Sequence, residues 1–153
     1  MFNLLLMLTI SAANFEFGPQ VTENLGGAKL FFEQGSWGGQ TSITLLPLPW
    51  DHSKILVKNR VEGIKMVNSD ISYVFLGFCL SEIKGENPKN GFEITLGGGT
   101  DICPHVKLEV GITRLLSGEM LGARIENPYT EFPDKEKKSN WGFIGGFFFY
   151  FRN

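Results

Sequence analysis

Residues 141–151, Trp141-Gly-Phe-Ile-Gly-Gly-Phe-Phe-Phe-Tyr-Phe151, contain no charged side chain and no polar face on which a surface helix could rest. Read with the period of two that governs strands, Phe143, Phe147, Phe149 and Phe151 share one side of a pleat. In water, an open sheet edge of this composition would template aggregation. Two environments accept it. One is a closed barrel in a lipid bilayer, where no edge remains and the aromatics face hydrocarbon. The other is the buried strand of a water-soluble β-domain. The segment therefore constrains location before it constrains chemistry.

The rest of the composition agrees with a sheet that is half apolar and half polar. Glycine (19) and phenylalanine (14) are both abundant in the 153 residues, while mean hydropathy stays near zero. No run of about 18 apolar residues exists, which excludes a spanning helix. A net charge of −2 argues against a general nucleic-acid binder. Met1–Ala13 reads as the hydrophobic region of a secretory signal peptide, with the small residues Ser11 and Ala13 ahead of a cut before Asn14. A buried N-terminal segment is the alternative. Residues 14–153 are then one domain, large enough for a core of its own.

Alternation dominates the chain, and no segment sustains a helical period. In Val106–Thr113, Val106, Leu108, Val110 and Ile112 face one way, and Lys107, Glu109, Gly111 and Thr113 the other. A turn at Ser117–Glu119 leads into Met120–Asn127, where Leu121, Ala123 and Ile125 oppose Gly122, Arg124 and Glu126. Turn residues between two alternating runs predict a hairpin. Further strands are expected at Ala28–Gln34, Gln40–Leu46, Ile55–Val67, Ile71–Leu80, Gly91–Gly98 and Trp141–Phe151, after an extended lead-in Asn14–Gly27. Turn chemistry separates them at Gly35–Gly39, Pro47–Ser53, Asn68–Asp70, Ser81–Asn90, Gly99–Pro104 and Pro128–Asn140. The fold class expected is all-β, an eight-stranded antiparallel up-and-down barrel.

Alternation alone leaves two orientations open. In a soluble barrel the apolar face points inward. In a membrane barrel it points outward, and Lys107, Glu109, Arg124 and Glu126 become an interior cross-strand ion-pair ladder, which must be paired or wet. Trp37, Trp50 and Trp141 fall at or beside strand ends, where interfacial belts place tryptophan; Phe147, Phe149 and Phe151 join them as interface aromatics.

On these features the chain resembles small bacterial outer-membrane β-barrel proteins, through Met1–Ala13, the alternating strands, and the terminal Gly146-Phe-Phe-Phe-Tyr-Phe151. The resemblance covers nearly the whole chain. It implies an outer-membrane location and a last strand whose aromatic end the assembly machinery recognises. With the C-terminus periplasmic, Pro128–Asn140 is external. Carrying strand parity back then puts Ser81–Asn90 on the periplasmic side and Asn68–Asp70 outside. The same parity separates Cys79 from Cys103 by the length of the strand Gly91–Gly98. No disulfide is expected, since bridged Cα atoms must approach within about 7 Å.

No residue set predicts catalysis. Contiguous Asp51-His52-Ser53 cannot form a triad because adjacent side chains diverge, and His105 follows a proline at a strand start. Both histidines read as surface turn residues. Some barrels of the family deacylate lipopolysaccharide with a His-x-Ser-Asn element; here Ser139-Asn140 follows Lys137, which removes the general base. Gly97-Gly-Gly-Thr100 lacks the Lys-Ser/Thr and helix of a phosphate loop and reads as a turn or bulge. Two isolated cysteines have no metal spacing. The sequence therefore indicates no cofactor, no metal and no catalytic residue. Its leading reading is a non-enzymatic outer-membrane barrel of structural or surface-interaction type. The expected partners are the lipid bilayer and, through Ser81–Asn90 and Pro128–Asn140, a protein or lipid, with no nucleic acid. The alternatives are an exported, secreted or periplasmic lipocalin-like barrel holding a small hydrophobic ligand, and a lipid-modifying barrel enzyme.

Overall fold

The computed structural model describes residues 14–22, 25–47, 55–67, 71–85, 89–118 and 140–152. They form a closed antiparallel up-and-down barrel of eight strands. The strands are β1 (Asn14–Thr22), β2 (Leu25–Gln34), β3 (Trp37–Pro47), β4 (Ile55–Val67), β5 (Ser72–Lys84), β6 (Lys89–Cys103), β7 (Val106–Gly118) and β8 (Trp141–Phe149). A short β9 (Phe151–Arg152) continues the path of β8 beyond Tyr150. Each strand pairs with the next in sequence, and β1 closes the ring against β8 and β9.

The register sets the shape. Following the pairing once round, Arg152 faces Glu16, then Phe31, Gln40, Glu62, Gly77, Thr95, Thr113 and finally Gly142, ten residues from the start on the same strand path. A stagger of ten over eight strands tilts them by roughly 40° to the barrel axis. The outward column on the last strand, from Trp141 to Phe151, therefore projects to about 25 Å along that axis.

Two expectations are corrected. The lead-in Asn14–Gly27 is not an unpaired approach to the barrel: Asn14–Thr22 is β1, paired along its whole length with β2. The expected hairpin between Val106–Thr113 and Met120–Asn127 is also replaced. β7 runs on to Gly118, and its two edges are taken by β6 and β8. Met120–Asn127 itself lies outside the described residues.

These changes alter strand parity and so correct the expected sidedness. The turns Gly35–Ser36 and Pro104–His105 and the connection 68–71 leave from the end of the barrel that holds Asn14 and Arg152. The connections 23–24, 48–54, 85–88 and 119–140 leave from the other. The charged 85–88 connection thus sits at the same end as 119–140, not opposite it. Asn14, Arg152 and the turns Gly35–Ser36 and Pro104–His105 share one end; the longest connection lies at the other, together with the two-residue connection 23–24.

Several separators are shorter than expected because turn residues are absorbed into strands. Gly97-Gly-Gly-Thr100 is neither turn nor bulge but the middle of β6. Its glycines admit aromatic rings from the neighbouring strand. A Cβ on Gly97 would lie 2.4 Å from the Phe75 ring, and one on Gly99 would lie 2.3 Å from that of Tyr73. Both rings are buried and, with Phe31, Ile64, Ile144, Phe148 and Tyr150, form the apolar part of the barrel's filling.

Candidate functional site: the charged barrel interior

The alternation resolves to one orientation all the way round. Large apolar side chains on successive strands stand exposed on the outer surface, among them Phe17, Leu30, Ile43, Val61, Leu76, Leu96, Val110 and Phe143. Val61 and Phe143 are 63% and 62% exposed, values ordinary for surface lysines and unusual for a continuous apolar coat. The inward positions of the same strands hold Glu16, Lys29, Glu33, Lys58, Arg60, Glu62, Glu93, Lys107 and Glu109, each buried. Five acids face four bases, so the interior is close to electrically balanced.

Three interior cations share one construction: a carboxylate on one side and an aromatic face on the other. Lys107 Nζ lies 2.8 Å from both Glu16 Oε2 and Asp101 Oδ1. It also sits 4.2 Å from the Tyr150 ring centre and 4.9 Å from that of Phe31. Lys29 pairs with Glu109 and lies 5.3 Å from the Phe148 ring centre. The guanidinium of Arg60 grips Glu62, with Nε and Nη2 donating to Oε1 at 3.1 and 2.8 Å, and lies 5.4 Å from the Phe75 ring centre. Charge-assisted bonds and cation–π contacts both strengthen away from water, which offsets part of the desolvation each ion suffers.

Neutral donors complete the carboxylates. Tyr73 donates its hydroxyl to Glu109, Gln40 donates to Glu62 at 2.6 Å, and Thr95 donates to Glu62 at 2.7 Å. Nearer the end with the longest connection, Ser81 and Thr113 donate to Glu93 at 3.1 and 2.6 Å. At the opposite rim, Arg152 donates through Nε to Glu16 at 3.0 Å, and Asn14 donates to Glu33 at 3.1 Å. These hydroxyls hold carboxylates in place, and among the described residues none of them is hydrogen-bonded to an imidazole.

A cavity of about 10 Å³ among Thr22, Thr44, Lys58, Arg60 and Glu93 is room for about one water. Glycine pairs with large rings, and cations bridge between strands, so the lumen is filled by side chains as expected of an eight-stranded barrel.

The sequence-based site residues are placed as follows. Lys107 and Glu109 point inward, but their ionic partners are Glu16 and Asp101 for the first and Lys29 for the second. Arg124, Glu126 and Trp50 lie outside the described residues. Trp37 and Trp141 are exposed, open β3 and β8, and stand at opposite ends of the barrel. Each faces a cation directly across its strand pair: Lys65 Nζ is 5.1 Å from the Trp37 ring centre, and Arg114 is 5.3 Å from that of Trp141. Phe147, Phe149 and Phe151 line the outer surface between them on the last strand. His105 is an exposed turn residue in the left-handed region, with φ of 69°, and His52 lies outside the described residues. Cys79 is buried and Cys103 exposed, and no disulfide joins them. Cys79 pairs with Glu93 on β6, ten residues from Cys103, a separation of roughly 33 Å along the strand.

Sequence reasoning missed Glu16, Lys29, Arg60 and Glu62. Their signal was present, since Lys29-x-Phe31 and Arg60-x-Glu62 lie on the face opposite Leu30 and Val61. Their partners are far away in sequence, Lys29 and Glu109 being 80 residues apart. Comparison with protein-family models, with curated proteins and with solved structures returns no match.

Proposed function

We propose that this chain is a non-enzymatic, lipid-embedded barrel of the outer-membrane type, sealed along its axis, with a structural or surface-interaction role. The observation that carries the reading is the inverted polarity: apolar side chains outside, paired ions inside. Water rewards the opposite arrangement by about 25 cal/mol for each Å² of apolar surface it covers. A bilayer makes the outward face neutral or favourable and leaves the charges in the one place where they can pair.

Dimensions support the same reading. The outward column from Trp141 to Phe151 spans about 25 Å, the height of the apolar band on such barrels. The Trp37–Lys65 and Trp141–Arg114 pairs stand near its two edges, where an amphipathic ring and a cation meet headgroups. The longest connections, 48–54 and 119–140, leave from the end opposite Asn14 and Arg152, an asymmetry found in barrels that present loops outward. The segments Ser81–Asn90 and Pro128–Asn140 are the contacts proposed for a protein or lipid partner. A carrier of hydrophobic ligands is disfavoured by an interior filled with ion pairs.

Membrane fractionation followed by a heat-shift gel tests this. Recovery in detergent extracts only, as a band whose mobility changes on boiling, is the expected result. A monomer that stays in solution without detergent would overturn the proposal.

A further inference from the structure

The barrel is closed unevenly. Neighbouring strands share between nine and thirteen register pairs at seven of the eight interfaces, whereas β1 makes three with β8 and two with β9. Part of that difference is only the reach of the last strand, which is described to Arg152; within Glu16–Thr22 the register runs unbroken, with Gln20 facing Phe148 and Phe17 facing Phe151, but the ladder is interrupted at Gly18 and Pro19.

The cause is Pro19. A Cβ on Gly18 would lie 2.0 Å from the Phe149 carbonyl oxygen, so that oxygen points at β1. The register sets Pro19 opposite Phe149, and proline has no N–H to donate. Strand prolines belong on edges where the missing donor would have faced solvent. In a closed barrel no edge exists, so Pro19 fits β1 best when β1 is an edge.

A second, independent feature lies directly behind this gap. Gln20, the next residue, points inward and is 1% exposed. Neither its amide nitrogen nor its amide oxygen has a hydrogen-bond partner. A buried amide left unsatisfied on both sides favours any state in which it gains a partner.

We infer that the β1–β8 seam is a built-in lateral opening: β1 and the last strand part at Pro19, where a backbone bond is already missing and Gln20 lies unsatisfied behind it. The test reads the amide protection of the folded barrel directly, so it stands or falls separately from the membrane assignment.

Residue-resolved amide exchange on the full-length folded protein tests it, in detergent micelles or in whichever medium the fractionation selects. Alternate amides of the last strand point to opposite neighbours, and Tyr150 N donates to His105 O on the β7 side. Phe147 and Phe149 therefore report the seam, whereas Gly146 and Phe148 report the β7 pairing. Exchange about tenfold or more faster at Phe147 and Phe149 than at Gly146 and Phe148 is expected, and fraying of the whole strand would not produce that alternation. Equal protection along the strand overturns the opening. Pro19→Val adds the absent donor on an outward position and is expected to slow exchange at Phe147 and Phe149 by about tenfold. Unchanged exchange there would overturn the role assigned to Pro19. If that variant does not fold, the contrast within the native strand decides alone.

Discussion

The orientation of the barrel faces can be tested by placing one charge at two depths. Val110 lies on the outer face of β7, 50% exposed, between Gly98 and Gly145 on its neighbours. Gly145 is four residues from Trp141 and six from Phe151, so Val110 sits close to the middle of the roughly 25 Å apolar band. Neither flanking glycine offers a side chain to a guanidinium. Val110→Arg is therefore expected to destabilise the folded, lipid-inserted barrel by about 2–4 kcal/mol, or about 30- to 900-fold in the folding equilibrium. Val67, 46% exposed at the terminal end of β4, lies at the edge of the band, and Val67→Arg is expected to cost about 0–1 kcal/mol. The assay is reversible urea unfolding in lipid vesicles, followed by the heat-shift band. In water, both substitutions would be exposed surface changes worth within about 0.5 kcal/mol. Equal and small effects at the two depths would refute the outward-facing lipid surface.

Three further outcomes follow from the interior. Glu109→Ala strands Lys29 without its carboxylate and is expected to cost about 3–5 kcal/mol, whereas Lys29→Met with Glu109→Met restores most of that stability; a double-mutant cycle in urea would expose additivity if the pair were not coupled. Gly97→Ala drives a methyl to 2.4 Å from both the Phe75 ring and the Val110 carbonyl oxygen, and a loss of about 1–3 kcal/mol in the same titration is expected; a neutral result would mean that Phe75 does not seat there. Planar-bilayer recordings of the native protein are expected to show no steady conductance through the axis, because ion pairs and rings fill it, and regular single-channel steps would contradict a sealed interior.

Much of the barrel was legible before any coordinates, and the failures have local causes. Asn14–Thr22 escaped notice because Gly18 and Pro19 interrupt its alternation with residues that usually mark turns. Met120–Asn127 carried a clean alternation and drew the hairpin expectation, yet β7 already has both edges filled. The run Gly97–Gly99 looked like a turn because a one-dimensional reading has no sight of Tyr73 and Phe75 arriving from the neighbouring strand. For the candidate site, Lys107 and Glu109 are an inward pair in the membrane orientation, while Arg124 and Glu126, the expected other half of the ladder, lie outside the described residues. Glu16 and Lys29 answer the inward pair, from a part of the chain some 80 to 90 residues earlier.

The identity of β2 to β8, the two faces of each of these strands and the all-β class were set by sequence alone, because alternation is a property of residues two apart and needs no partner. The tertiary structure decided which eight segments close the ring, which face turns inward and which cation meets which carboxylate. Those depend on register, on a stagger of ten residues around the barrel, and on closure of β1 against β8, all of them relations between residues distant in the chain. A period of two is the same whether its apolar side covers a core or faces outward. Only the curvature of the closed sheet distinguishes them.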